Sequence, residues 1–342
     1  MTTQPTAGRE EERLRIETVA REQARESFAD DVRQGLTREP KSLPPKYFYD
    51  ELGSHLFDAI CLLPEYYLTR AEREIFETHA SDIFAAASDG GTAALTLVEL
   101  GSGSANKTRL LIEAALARQP GLTYVPVDIS RAALETSARS LLQSYPALSV
   151  EAFASDYDSA FPVLRARLAE DEARALVLFL GSNVGNFDPA EARAFLRRLR
   201  AALRPGDCLL MGADLKKDAA TLEAAYDDAL GVTAAFNLNL LARINRELRA
   251  DFRLRDFRHV AVYNERAGRV EIYAESAREQ TVRVRALDLA VGFARGERLH
   301  TENSYKYDLA EILRLAEETG FRSANTWLDE GERFSSNLLV AA

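Results

Sequence analysis

Hydrophobic positions change rhythm twice along this chain, and the changes divide it. A polar stretch over residues 1–18, mixing acidic and basic side chains, reads as a flexible, frayed tail. Phe28, Val32 and Leu36 then recur at helical spacing. KSLPPKYFYD follows; Pro44 and Pro45 cannot both continue a helix, so an ordered loop rich in aromatics is predicted there. LPEYYLTR (63–70) is a second aromatic segment. From about residue 95 strands and helices alternate. Strands are predicted at LTLVEL (95–100), TYVPVD (123–128), LSVEAF (148–153), ALVLFLG (175–181) and DCLLMGAD (207–214), with amphipathic helices between them. The fourth is almost wholly apolar, as a central parallel strand should be. Repeated βα units of this length predict a doubly wound parallel sheet, an α/β fold.

The rhythm then breaks. Residues 217–255 read as mostly helical, whereas HVAVYNE, RVEIYAE and QTVRVRALDLAV (259–291) read as antiparallel strands, with a turn at Ala267-Gly268. A helix over 308–319, capped by Gly320, and the apolar SSNLLVAA restore the first pattern. The expectation is a sheet domain over 70–216 plus 306–342, and a second, α+β substrate-binding domain over 19–69 plus 217–305.

Composition trims the possibilities. The net charge of −10 argues against a nucleic-acid partner, because phosphate binding needs a concentrated basic surface. Cys61 and Cys208 each sit among apolar residues, which favours buried thiols over a disulfide. Neither they nor the four scattered histidines have metal-ligand spacing, so no metal is expected. No apolar run reaches the roughly 18 residues of a membrane span, and the N-terminus is not signal-like. A cytoplasmic protein without a membrane partner, and a monomer for want of a coiled coil, is the default.

The candidate chemistry lies first in the loop after the first strand, VELGSGSANKT. Glycines let a ligand approach the backbone, and the following helix offers N–H donors. A tight βα turn would explain Gly-x-Gly equally well. The loop lacks both the third glycine of a dinucleotide fingerprint and a P-loop Gly-Lys-Ser/Thr, so Gly101, Ser102, Gly103 and Lys107 suit a ligand with no pyrophosphate. Asp128 closes the second strand, where a carboxylate can accept both ribose hydroxyls; its alternative is a helix cap. Asp156 and Tyr157 follow the third strand, where they suit an adenine. The loop, then Asp, then Asp-aromatic order resembles class I S-adenosylmethionine-dependent methyltransferases, with a nicotinamide oxidoreductase as competitor.

Other segments narrow the resemblance. KSLPPKYFYDELGSHLFDAI, LPEYYLTR, VELGSGSANKTR, FLGSNVGNF, YDDALGVTAAFN and TENSYKY occur in this order, and together they resemble the histidine Nα-methyltransferases of ergothioneine biosynthesis from about residue 28 onward. That resemblance implies trimethylation of histidine's α-amino group to hercynine with S-adenosylmethionine, on a methyltransferase domain carrying a substrate domain. It implies that Tyr66, Asn186 and Tyr226 hold the amino and carboxylate groups, and that Tyr49, Glu302 and Ser304 read the imidazole. An Asn amide both donates and accepts, and a carboxylate can accept a ring N–H. Read without the resemblance, Asn186 could merely shape a turn, the two tyrosines could be ordinary half-buried ones, and Glu302 a solvated loop carboxylate.

Ile272 stands where the family pattern has methionine at the pocket wall, a stiffer, β-branched replacement. The pattern supplies no histidine or lysine at the amine, which leaves Tyr49 and Tyr66 as the groups near its departing protons. Methylation of another amino acid or aromatic amine, and a binding protein without turnover, are the other readings.

Overall fold

A computed structural model of the chain describes residues 12–19, 24–103 and 105–342. Its main sheet has eight strands. Six run parallel in the spatial order β1 (Leu14–Thr18), β4 (Leu148–Ala154), β3 (Leu122–Asp128), β2 (Leu95–Leu100), β5 (Arg174–Phe179) and β6 (Cys208–Asp214). Antiparallel β13 (Phe334–Ala341) and β12 (Phe321–Leu328) complete it. The order reverses at β2, and ligands collect in such sheets outside the strand ends beside the reversal.

Alternation along the strands supplies two apolar layers. Leu95 and Leu97 of β2 and Leu176 and Leu178 of β5 face one, and Val98, Leu100, Val177 and Phe179 face the other. Helices cover both faces: α1 (Ala24–Thr37), α2 (Glu51–Ile60), α3 (Leu68–Ala87), α4 (Thr108–Leu116), α5 (Arg131–Ser144), α6 (Tyr157–Ala169), α7 (Pro189–Ala202), α8 (Ala219–Tyr226), α9 (Val232–Leu248) and α10 (Leu309–Glu318). The doubly wound α/β reading therefore holds.

Two of the expectations fail. Residues 14–18, assigned to the frayed tail, form β1 and pair in parallel with β4 from Leu14–Val150 to Thr18–Ala154. Arg13 fixes the start of this strand by donating to the carbonyls of Leu142, Tyr145 and Leu148. The segment 280–291 is not one strand but a hairpin, β9 (Gln280–Val284) and β10 (Leu289–Phe293), because the chain turns through Asp288 at φ 47°. A separate antiparallel sheet joins β7 (Phe257–Asn264), β8 (Arg269–Ser276) and β11 (Arg298–Tyr305) in the order β11-β8-β7. Gly268 makes the expected turn between β7 and β8 at φ 65°.

Strand β11 carries an irregularity that matters for the site. His300 pairs with Tyr273 and Glu302 with Ile272, so Thr301 is an extra residue, a β-bulge. Beyond it the period of two puts Glu302, Ser304 and Lys306 on one side of the strand. The proline segment docks against the same place: Leu43 N donates to His300 O at 2.9 Å, and His300 N to Lys41 O at 3.0 Å. The turn Pro45–Phe48 is then held to α9, where Arg243 donates to Tyr47 O at 2.9 Å. Asp50 caps α2 by accepting from Gly53 N at 2.7 Å, and accepts from Asn239 of α9 at 2.8 Å.

Candidate active site

The parallel strands end at a polar edge, and the two halves of the site meet there. On one side is the loop after β2. Gly101 has φ 75°, and a Cβ on it would lie 2.6 Å from Tyr157 Oη, so no other residue fits without displacing that ring. Gly103 N donates to Asp128 Oδ2 at 3.0 Å, and Ser130 N to Asp128 Oδ1 at 2.8 Å. Both carboxylate oxygens keep a further lone pair, and Ser130, not Asp128, caps α5. Burial raises the Asp128 carboxyl, against the pull of these backbone N–H groups. Asp156 caps α6 by accepting from Ser159 N at 2.8 Å. The Tyr157 ring packs edge-on to Phe179 at 5.9 Å.

Lys107 does something the sequence does not suggest. Its ammonium is paired with Glu72, a fully buried carboxylate on α3 that also accepts from Gly181 N at 2.9 and 3.0 Å. Glu72 thereby ties the loop after β2 to the loop after β5. Beneath them Glu99 accepts from Thr108 at 2.8 Å and from Tyr124, and burial pushes its carboxyl up to about 7.

On the other side is a cavity. It is lined by Tyr49, Tyr66, Asn186, Tyr226, Ile272, Glu302 and Ser304, so the structure brings together every residue named for the substrate. Distant segments deliver them. Tyr49 follows the proline turn, and Tyr66 precedes α3. Asn186 ends the turn Asn183–Asn186 beyond β5, which can approach β11 because a Cβ on Gly185 would sit 2.6 Å from Tyr305 O. Tyr226 closes α8, while Ile272 and Glu302 are cross-strand neighbours.

Aromatic edges close the cavity: Tyr66 meets Tyr226 at 6.1 Å and 79°, and Tyr49 meets both Phe57 and Phe236 at 5.6 Å. Burial lifts the Tyr49 and Tyr66 hydroxyls well above their usual value, so both are neutral phenols near pH 7. Burial also pushes the Glu302 carboxyl up to about 7, opposed by the Lys306 ammonium.

Several contributors went unnoticed in the sequence. Phe48, Phe57, Phe236 and Asn237 line the cavity, and Lys306 stands behind it. Lys306 donates to Tyr226 Oη at 2.8 Å and Ser304 Oγ at 2.9 Å, and pairs with Asp214 at 2.8 Å. The signal for Lys306 was its place two residues beyond Ser304 on the same strand face. His259 Nε2 lies 2.7 Å from Tyr226 O and so carries the proton; its Nδ1 accepts from Asn237 Nδ2 at 2.9 Å. Asn237 Nδ2 also donates to Tyr273 O at 2.9 Å, which leaves Oδ1 of this cavity-lining amide without a partner among the described residues.

A family model described as the histidine-specific, S-adenosylmethionine-dependent methyltransferases matches residues 28–341. The chain belongs to this family. It is 44% identical over 322 residues to the histidine N-alpha-methyltransferase of Mycolicibacterium smegmatis, covering 94% of this chain and 97% of that protein. Against the enzyme of the same name from Mycobacterium tuberculosis it is 42% identical, covering 90% and 93%. An L-tryptophan methyltransferase of Psilocybe serbica is 30% identical over 326 residues, covering 89% and 90%.

As a histidine-specific methyltransferase the chain uses S-adenosylmethionine, and its loop residues fit that group. Among the described residues Ser102 Oγ is buried without a hydrogen-bond partner and nothing stands in the Cβ direction of Gly103, so a polar ligand can lie against the backbone here. No helix among the described residues is long and apolar enough to cross a membrane.

Proposed function

We propose that this enzyme methylates the α-amino group of L-histidine three times to give hercynine, the first step of ergothioneine biosynthesis, and does so as a monomer in the cytoplasm. The observation that carries the reading is the wall formed by Glu302 and Ser304. A half-buried carboxylate and a buried hydroxyl, two residues apart beyond a bulge, face into an aromatic cavity that also holds Asn186. That set suits a ring with one N–H and one lone pair, and a site built to pair such a ring rejects purely apolar ones.

When bound, S-adenosylmethionine supplies a methyl carbon made electrophilic by its positive sulfur. Each N–C bond made matches one C–S bond broken, and the free-base amine sheds one proton before the second methyl and one before the third. Cofactor contacts fall to Gly101, Ser102, Lys107, Asp128, Asp156 and Tyr157. Asn186, Tyr66 and Tyr226 orient the amino acid's charged end, and Tyr49 lines the same cavity as Glu302. With both tyrosines protonated, the amine enters as the free base, and Tyr49 and Tyr66 pass its protons on without storing them. Enclosure supplies alignment and keeps water from the methyl group.

Mass spectrometry after incubation with histidine and S-adenosylmethionine tests the reading: a product heavier by three methyl groups is expected. Unchanged histidine alongside measurable cofactor binding would refute it. Ile272, 2% exposed in the wall, favours one second reading, a pocket shaped for another aromatic amino acid. Faster turnover of tryptophan than of histidine would establish it.

A further inference from the structure

Lys306 spends all three ammonium protons inside the protein, and two of them go to the substrate wall. Its side chain has no exposed surface, and it donates to Asp214 Oδ2, Tyr226 Oη and Ser304 Oγ at 2.8, 2.8 and 2.9 Å. Charge balance alone does not require it. Asp214 already accepts from Lys217 at 2.7 Å and from Tyr67 at 2.8 Å. A buried ammonium costs desolvation, so an unneeded one asks for another role.

The two hydroxyls lie 2.7 Å apart, so one of their two protons sits between them. Each oxygen also accepts from Lys306. Whichever hydroxyl points its remaining proton at the cavity has both lone pairs occupied, one by the ammonium and one by its neighbour. It can donate but not accept, and the cation behind it strengthens that donation.

We propose that Lys306 is a positioning and specificity-determining residue: with Tyr226 donating to Ser304 and Lys306 donating to both, Ser304 can only donate into the cavity and selects a ligand that presents a ring-nitrogen lone pair, while Tyr226 keeps a lone pair for the amino acid's charged end. The inference rests on histidine occupying the cavity and adds a third participant to ring recognition, one that never touches the substrate. Glu302 supplies the complementary acceptor, so donor and acceptor stand two residues apart on β11. Burial lowers the ammonium, but Asp214 and Tyr226 together more than offset it and push it up to about 12, so the charge persists across the working pH range.

The test compares histidine with 3-(2-thienyl)alanine, whose ring offers neither a lone-pair nitrogen nor an N–H. Binding of each is measured by calorimetry with S-adenosylhomocysteine present, for the wild type, Lys306→Met and Lys306→Gln. General damage to the fold weakens both ligands alike. Loss of the charged donor weakens histidine selectively: its advantage over the analogue should fall about tenfold or more in Lys306→Met. Lys306→Gln, which keeps N–H donors, should recover part of it, and affinity for S-adenosylhomocysteine should stay within about threefold of wild type. Should Lys306→Met fail to fold, Lys306→Met/Asp214→Asn, which removes both charges, takes its place. An unchanged histidine-to-analogue ratio in the Met and Gln variants overturns the proposal alone. A wild-type chain that binds no histidine overturns both it and the substrate reading.

Discussion

The two halves of the proposed site are built by different means. The cofactor side is made largely of backbone: glycines at a strand end, N–H groups at helix starts, and carboxylates already bonded to those N–H groups. The substrate side is made of side chains from distant segments, Asn237 among them, enclosed and held from behind by Lys306 and His259. A backbone cradle tolerates exchanges of side chains and is sensitive to anything that moves the chain. A side-chain pocket has the reverse sensitivity, because each removed group leaves a buried partner unpaired. Glu72 is the exception, since it bonds the loop after β2 and the loop after β5 at once.

The largest expected effect tests whether the halves are separable. Glu302→Ala should lower kcat/KM for histidine on the order of a thousandfold, since an unpaired ring N–H is costly in an enclosed site. Cofactor affinity, measured by calorimetry, should change less than about threefold; an equal loss in both would merge the two regions into one. Glu72→Ala should break the separation deliberately. It removes a fully buried carboxylate from its pair with the partly exposed Lys107 and should cost about 2 kcal/mol in urea unfolding, while weakening both cofactor and histidine.

A smaller effect sharpens the view of the substrate side as a strained one. The Glu302 carboxyl goes from 4.5 to about 7 on folding, so its stabilising contribution is full below pH 4.5 and is lost as pH rises through about 7. Glu302→Gln mimics the protonated form. In ligand-free protein it should be more stable than wild type by about 2 kcal/mol at pH 8, a value discounted for water in the cavity, and nearly equal at pH 4.5. The variant should trade that stability for lost histidine use.

The smallest effect belongs to the cofactor side. Asp156→Ala should cost about 1 kcal/mol through the lost cap of α6, and Asp156→Asn should restore it. Weaker cofactor binding by the Asn variant, with stability intact, would add a direct contact to the capping role.

Legibility in the sequence follows the same division. The loop Glu99–Lys107, Asp128 and Asp156-Tyr157 announce themselves because each lies next to a strand whose apolar run is visible locally. Glu302 and Ser304 were legible only through resemblance to a family; TENSYKY taken alone has the look of a polar loop. No periodic signal marked β11, since Thr301 interrupts the alternation at the point of interest. Strand β1 was missed for a related reason: it is half-exposed and borders the sheet, so its polar sequence carries no apolar run.

What the chain determined by itself is the βα rhythm, the position of the cofactor loop and the break that sets off a second body of structure. These are local properties, fixed by side-chain period, glycine and proline. Tertiary structure decided that Lys107 meets Glu72 rather than solvent, that a bulge turns Glu302, Ser304 and Lys306 toward one cavity, and that residues 14–18 extend the sheet. The physical reason is common to all three. Each is a pairing between groups far apart in sequence, and its free energy depends on burial and on partners that exist only once the chain has closed around them.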